Sequence, residues 1–264
     1  MRIKRALILL AVIVTLFNSL FAWGESDVVS VFSINGDVKV VPKGRNVGVK
    51  CEKEMILHAG DWIKTGANSS VTIAFDRDAN NVITIEEKSL IVIRMDGYFK
   101  VQLLRGEIYA ILENVSKGET FRVLTPSVVT ESLNSGWGAA SDGSYTNVVV
   151  FDNRVFVCGI NPEGEIEKKK YWIEEGYKRK TLIFEDPGDI ESLPENAVPW
   201  FKEQVMAHHL AKVEQKEECA SADILNLETE HAEEDASTSK KDHTDFLEYL
   251  YKQRLRYKPK TISR

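Results

Sequence analysis

From Val28 to about Phe184 the chain alternates apolar residues with small or polar ones, and glycine, asparagine, aspartate or proline breaks the pattern about every 8–12 residues. That grammar constrains the fold more than any other feature. A period of two sends alternate side chains to opposite faces, so each run is a strand with one buried side. The stretch Ala59 to Phe75 shows it best. A short strand around Trp62 and Ile63 leads into the turn Thr65-Gly66-Ala67-Asn68, and then Val71, Ile73 and Phe75 share a face. Few windows here keep a helical repeat. The expected class is all-β, either a sandwich or a twisted β-solenoid of short antiparallel, rung-like strands.

Turn chemistry suggests the local pairings. Ser33-Ile34-Asn35-Gly36 lies between two valine-rich runs, and Asn-Gly in that setting signals a hairpin because both residues accept positive φ. A short strand is expected within Val49 to Leu57. The polar turn Asp76 to Asn81 precedes strands at Val82 to Ile85 and Leu90 to Ile93. Asp96-Gly97 then turns the chain into Tyr98 to Leu104, and Arg105-Gly106 into Ile108 to Leu112. Thr125-Pro126 ends the strand Phe121 to Leu124, since proline lacks the N–H a ladder needs. Asn147 to Phe151 is expected to pair with Arg154 to Cys158, with Asn153 taking a left-handed conformation in place of glycine.

The two ends follow other rules. Arg2, Lys4 and Arg5 precede an apolar run from Ala6 to Phe17, and Ala22-Trp23-Gly24 offers small residues at a cleavage site. Residues 1–24 read as a signal peptide; the alternative is an uncleaved anchor, for which the run is short of the ~20 residues a spanning helix needs. Losing the leader's three basic residues leaves 31 basic against 40 acidic residues, a net charge near −9. That balance argues against a general nucleic-acid binder. Residues 185–213 form a connector and a short helix from Pro199, with Trp200, Val205 and Leu210 as its buried side. Residues 214–243 read as an acidic disordered linker. Residues 244–257 form an amphipathic helix with a basic end, suited to a membrane surface or a partner.

Within the β region, Gly60-Asp61-x-x-x-Thr65-Gly66, Ser69/Ser70 before Val71-x-Ile73-x-Phe75, Ser89-Leu90, and Leu104-Arg105-Gly106-Glu107-Ile108 occur in order. They are followed by Phe121-x-Val123-x-Thr125-Pro126 and by the valine run into Asp152-Asn153-Arg154-Val155. Glu175-Gly176-Tyr177, Pro187-Gly188, Pro194 and Trp200 come after. Together these resemble the FecR-like domain of bacterial envelopes over roughly Ser33 to Trp200. The resemblance implies a binding or signal-related β module outside the cytoplasm. Leu133-Asn134-Ser135 stands where relatives often carry Arg-Gly-Thr. Only about five residues precede the apolar run, so the sigma-factor-controlling segment of the iron-dicitrate regulator is not expected here.

Chemistry-bearing patterns are few. Asp76-x-Asp78-x-Asn80 with Glu87 reproduces the oxygen positions of a calcium loop, although Asn81 replaces the usual glycine and the flanks read as strands. The alternative is a polar turn whose side chains bond their own backbone. Zinc spacings, a nucleophile elbow and phosphate loops do not occur in the sequence. Neighbouring His208 and His209 on a helix point about 100° apart and cannot share a metal. Trp62 is expected in the core by alternation. Trp137, between two glycines, is expected at the surface as a ligand platform. Cys51, Cys158 and Cys219 are either three free thiols or include one disulfide, Cys51 with Cys158.

These readings converge on an exported, non-enzymatic module of the periplasm or cell surface, with calcium as the single cofactor candidate. Its partner would be an envelope protein or a glycan, and no nucleic acid. The alternatives are an envelope-structural or polysaccharide-binding β protein and, more remotely, a β-fold hydrolase.

Overall fold

The computed structural model describes residues 28–116 and 118–230, so the leader, residues 231–243 of the linker and the expected 244–257 helix lie outside the described residues. The β region is all-β, as the alternation requires. One layer runs, in hydrogen-bonded order, β4 (Ile56–Leu57), β1 (Val29–Asn35), β6 (Ser70–Ala74), β7 (Asn81–Ile85) and the C-terminal half of β9 (Val101–Leu112). It continues with β12 (Ser135–Ser141), β13 (Tyr145–Asp152), β16 (Tyr177–Leu182) and β17 (Ile190–Ser192). The other layer runs β3 (Val49–Lys50), β2 (Val38–Val41), β5 (Trp62–Thr65), β8 (Leu90–Ile93) and the N-terminal half of β9. β10 (Phe121–Leu124), β11 (Val128–Ser132), β14 (Arg154–Gly159) and β15 (Tyr171–Glu174) complete it. The β10–β9 ladder is parallel and the other ladders are antiparallel.

The inward residues of both layers merge into one apolar cluster. Val71, Ile73, Ile83, Ile85, Ile108 and Val150 come from the first layer, and Val40, Ile63, Ile91, Leu103, Val123 and Val155 from the second. β-branched residues dominate because they fit a pleated, buried face.

The chain changes layer repeatedly, and this overturns two expected hairpins. β1 pairs with β4 and β6, while β2 pairs with β3 and β5, so Asn35-Gly36 turns a corner between layers. Gly36 has φ +77°, and a Cβ there would lie 2.4 Å from Ser69 Oγ. Likewise β13 pairs with β12 and β16, not with β14. Asn153 does take positive φ, 61°, but at a corner. The reason is geometric: a short sharp turn between strands buried on one face can lead either to a neighbour or across the core, and local residues do not distinguish the two.

β9 is the element the layers share. Val101 to Arg105 pairs with β8 in one layer, and Gly106 to Leu112 pairs with β12 in the other. The expected turn at Arg105-Gly106 is therefore a crossing within one strand.

The helix α1 spans Ala197–Glu230, so residues 214–230, assigned to a disordered linker on composition, are helical. Glutamate, lysine, glutamine and alanine are good helix formers even where the apolar face is weak. Residues 28–212 belong to one compact unit. The first turns of α1 cover the outer face of the β1–β17 layer through Phe201 rather than Trp200, and through His208 rather than Leu210. That layer is the helix-side sheet below; the other is the open sheet. Among the described residues, no helix is long and apolar enough to cross a membrane.

Candidate interaction surface

The motif residues picked out in sequence lie at the corners. At each corner the backbone leaves its ladder, and its N–H and C=O groups need new partners. Asp61 is buried and accepts from the backbone N–H of His58 at 2.8 Å and of Lys43 at 3.0 Å. Thr65 Oγ1 donates to Glu86 O at 2.6 Å and accepts from Ser89 N at 2.8 Å. Ser89 Oγ accepts from Glu107 N at 3.0 Å, directly under Gly106. Ser69 Oγ accepts from Asp37 N at 2.9 Å. Farther along, Ser127, Thr146 and Thr125 form a buried hydroxyl chain with links of 2.8 Å. These residues stitch the two layers together where the chain turns from one to the other. Their chemistry is structural.

The calcium candidates are not brought together. Asp76, Asp78 and Asn80 border a cleft of about 350 Å³ whose wall includes Phe75 and Phe121. Glu87 follows β7 at its other end, roughly 17 Å away for five residues of strand. Both Asp76 oxygens are occupied, by Asn80 N at 2.9 Å and Asn81 N at 2.7 Å. Asn80 Oδ1 accepts from Lys212 Nζ at 2.7 Å, and Glu87 Oε2 from Asn68 N at 2.6 Å. The pattern is a self-bonded turn. Ala79, not Asn81, takes the positive φ. Among the described residues, no cluster of three or more His, Cys, Asp or Glu is placed to hold a metal.

The two tryptophan expectations are reversed. Trp137 is 0% exposed and donates through Nε1 to Ser132 Oγ at 3.1 Å, so it is a core residue and not a platform. Trp62 is 43% exposed, because Ile63 takes the inward position of β5. Trp62 and Ile63 are both apolar, so the parity of the strand was ambiguous until its partners were known. Cys51 and Cys158 are free and buried. Burial pushes the Cys51 thiol up to about 11, which keeps it protonated and unreactive. His208 Nε2 lies 2.8 Å from Ala79 O while His209 turns to Glu113, so the two rings point to different partners.

With α1 on the other layer, no described helix covers the outer face of the open sheet. Strand register places Arg122, Glu131, Phe156 and Trp172 in one row across β10, β11, β14 and β15. Arg122 Nε donates to Glu131 Oε1 at 2.9 Å, and its guanidinium lies 4.3 Å from the Tyr98 ring centre. Lys170 bonds the second Glu131 oxygen and sits above Phe156. Phe156 and Trp172 pack with ring centres 4.1 Å apart, and Arg154 lies over Trp172 at 4.6 Å. Burial alone would raise the Glu131 carboxyl, but its bonds to Lys170 and Arg122 outweigh that and hold it below the usual carboxylate range. Sequence reasoning passed over this row. Its signal was weak: outward parity for each residue, and the run Lys168-Lys169-Lys170-Tyr171-Trp172.

Fold and face together define a two-layer β domain whose motif residues serve its corners and whose open sheet carries an aromatic, cationic row. Residues 61–156 match the family model described as FecR protein, so the chain carries a FecR-like domain and the resemblance read from its motifs holds over that span. Two crystal structures of a candidate anti-sigma factor from Parabacteroides distasonis ATCC 8503, at 1.65 and 2.50 Å resolution, are similar at 12% identity and a TM-score of 0.41. The similarity covers 52% of this chain and 62% of that one. No curated protein matches the chain.

Proposed function

We propose that this chain is an exported, non-enzymatic module of the periplasm or cell surface that works by binding an envelope partner in a signal-related assembly. The FecR-like domain carries the signal-related part of this reading. The leader-like residues 1–24 support export. The single observation behind the binding role is the open sheet's row of Tyr98, Arg122, Phe156, Trp172 and Arg154, since exposed aromatic and arginine side chains on a rigid sheet are the groups that dominate recognition.

Export is tested by fusing alkaline phosphatase after Arg264, which gives activity only when the fusion leaves the cytoplasm. Binding is tested by placing a photoreactive residue at Trp172 and, separately, at Thr72 on the helix-side sheet. Cross-linked envelope material is expected from position 172 alone. An inactive fusion would overturn export, and equal capture from both positions would overturn the assigned face.

A further inference from the structure

We infer that the open-sheet row is a binding site for a linear acidic polysaccharide, with carboxylates read by the stacked guanidinium groups and sugar rings packed against the exposed parts of Tyr98 and Trp172. This rests on the binding-module reading and names its ligand class. The geometry has three parts.

First, two arginines are held against aromatic rings, Arg122 at 4.3 Å from Tyr98 and Arg154 at 4.6 Å from Trp172. A guanidinium stacked on a ring keeps its edge donors directed outward and loses little freedom on binding a carboxylate bidentately. Arg122 gives only Nε to Glu131, which leaves its terminal N–H groups for a ligand. Second, these arginines are far apart. Strands β10, β11, β14 and β15 separate Arg122 from the Trp172 end, three spacings or roughly 14 Å. That suits a repeating polymer better than a single small anion. Third, rings occupy the row: Tyr98 and Trp172 are each 45% exposed, with Phe156 beside Trp172.

The charge favours an anion. Arg122, Arg154 and Lys170 face Glu131 and Glu174, and Glu131 is buried beneath two of the cations. This cationic strip lies on a chain of formal net charge −6, which repels polyanions elsewhere and confines them to it. A nucleic acid would need a longer basic track than the row supplies. A purely acidic peptide would use the arginines and leave the exposed rings unused.

Affinity electrophoresis of the full chain through gels containing polygalacturonate tests the assignment, with dextran, polyglutamate and oligothymidylate gels as comparisons. Polygalacturonate alone is expected to retard the protein, and less so as salt rises from about 0.05 to 0.5 M. Trp172→Ala and Arg154→Gln are each expected to weaken retardation about tenfold or more. Both side chains are surface groups, and an unchanged unfolding midpoint verifies that each variant folds. Absence of retardation by polygalacturonate, equal retardation by polyglutamate or oligothymidylate, or an unaffected Trp172→Ala variant would overturn it. Failure here leaves the binding module standing if position 172 still cross-links an envelope protein, so the two readings are separable.

Discussion

Gly106 stands where β9 leaves one layer for the other, and no other residue type fits there. Its φ is +99°, and a Cβ would lie 2.2 Å from Ser89 Oγ and 2.4 Å from Ser89 Cα. Because one clash is with backbone, no rotamer change relieves it. Gly106→Ala is expected to lower stability by roughly 2–4 kcal/mol, seen as a lower urea midpoint with an unchanged slope. Glu131 makes the second residue-scale prediction. Its folded carboxyl is held below its unfolded value near 4.3, so its stabilising contribution is present above that pH and is lost as the pH falls through the folded value. Glu131→Gln is expected to cost about 1–2 kcal/mol at pH 7, and the gap to the parent protein should close below pH ~4. A gap that stays constant with pH would show that the carboxylate's charge is irrelevant there.

At the scale of the element, α1 is held by a small number of fitted contacts. Phe201 stacks on Phe151 with ring centres 4.7 Å apart and planes 9° apart, over Gly136. A Cβ on Gly136 would lie 2.1 Å from Phe201 Cε1. Gly136→Ala is therefore expected to dislodge the helix while the sheets persist, read as faster proteolysis after residue 197 with little change in strand circular dichroism. Farther along, Ala79 O, Lys212, His209 and Glu113 surround His208. Burial, reinforced by Lys212 and His209 and opposed by the bond to Ala79, holds His208 below its ordinary value. The neutral form is thus the folded form. Docking stability should be complete above pH ~6.5 and fall as acid protonates the undocked histidine first. His208→Gln, which keeps a donor for Ala79 O, is expected to flatten that dependence between pH 7 and 5, measured by amide exchange along α1. A parent helix whose exchange protection ignores pH would contradict the assignment.

At the largest scale, stability comes from apolar packing, one cluster shared by the two layers and a second under α1, and not from covalent cross-links among the described cysteines. The unfolding midpoint is expected to be the same with and without a thiol reductant. A drop on reduction would place a disulfide where the structure has two buried thiols. How much of this was legible in sequence follows from the range of each interaction. Alternation is local, so strand content and the inward set Val71, Ile73 and Phe75 could be read directly. Layer assignment is not local: Asn35-Gly36 and Asp152-Asn153 are good turn sequences, but whether a turn returns to its own sheet depends on partners 20 or more residues away. Trp62 was misplaced because it and Ile63 are both apolar, which leaves the strand's parity open until a second sheet covers one face; Trp137, between Gly136 and Gly138, was misplaced because small neighbours say nothing of what covers the strand.

By itself the amino-acid order determined the β class, the corner-forming residues, and the FecR-like character of the central domain, because each depends on side-chain type and short spacing. Tertiary structure alone decided which corner turns carry the chain from one layer to the other. It alone aligned Arg122, Glu131, Phe156 and Trp172 across four strands. Strand register joins residues distant along the chain, and the free energy that selects it is the burial of the whole cluster at once.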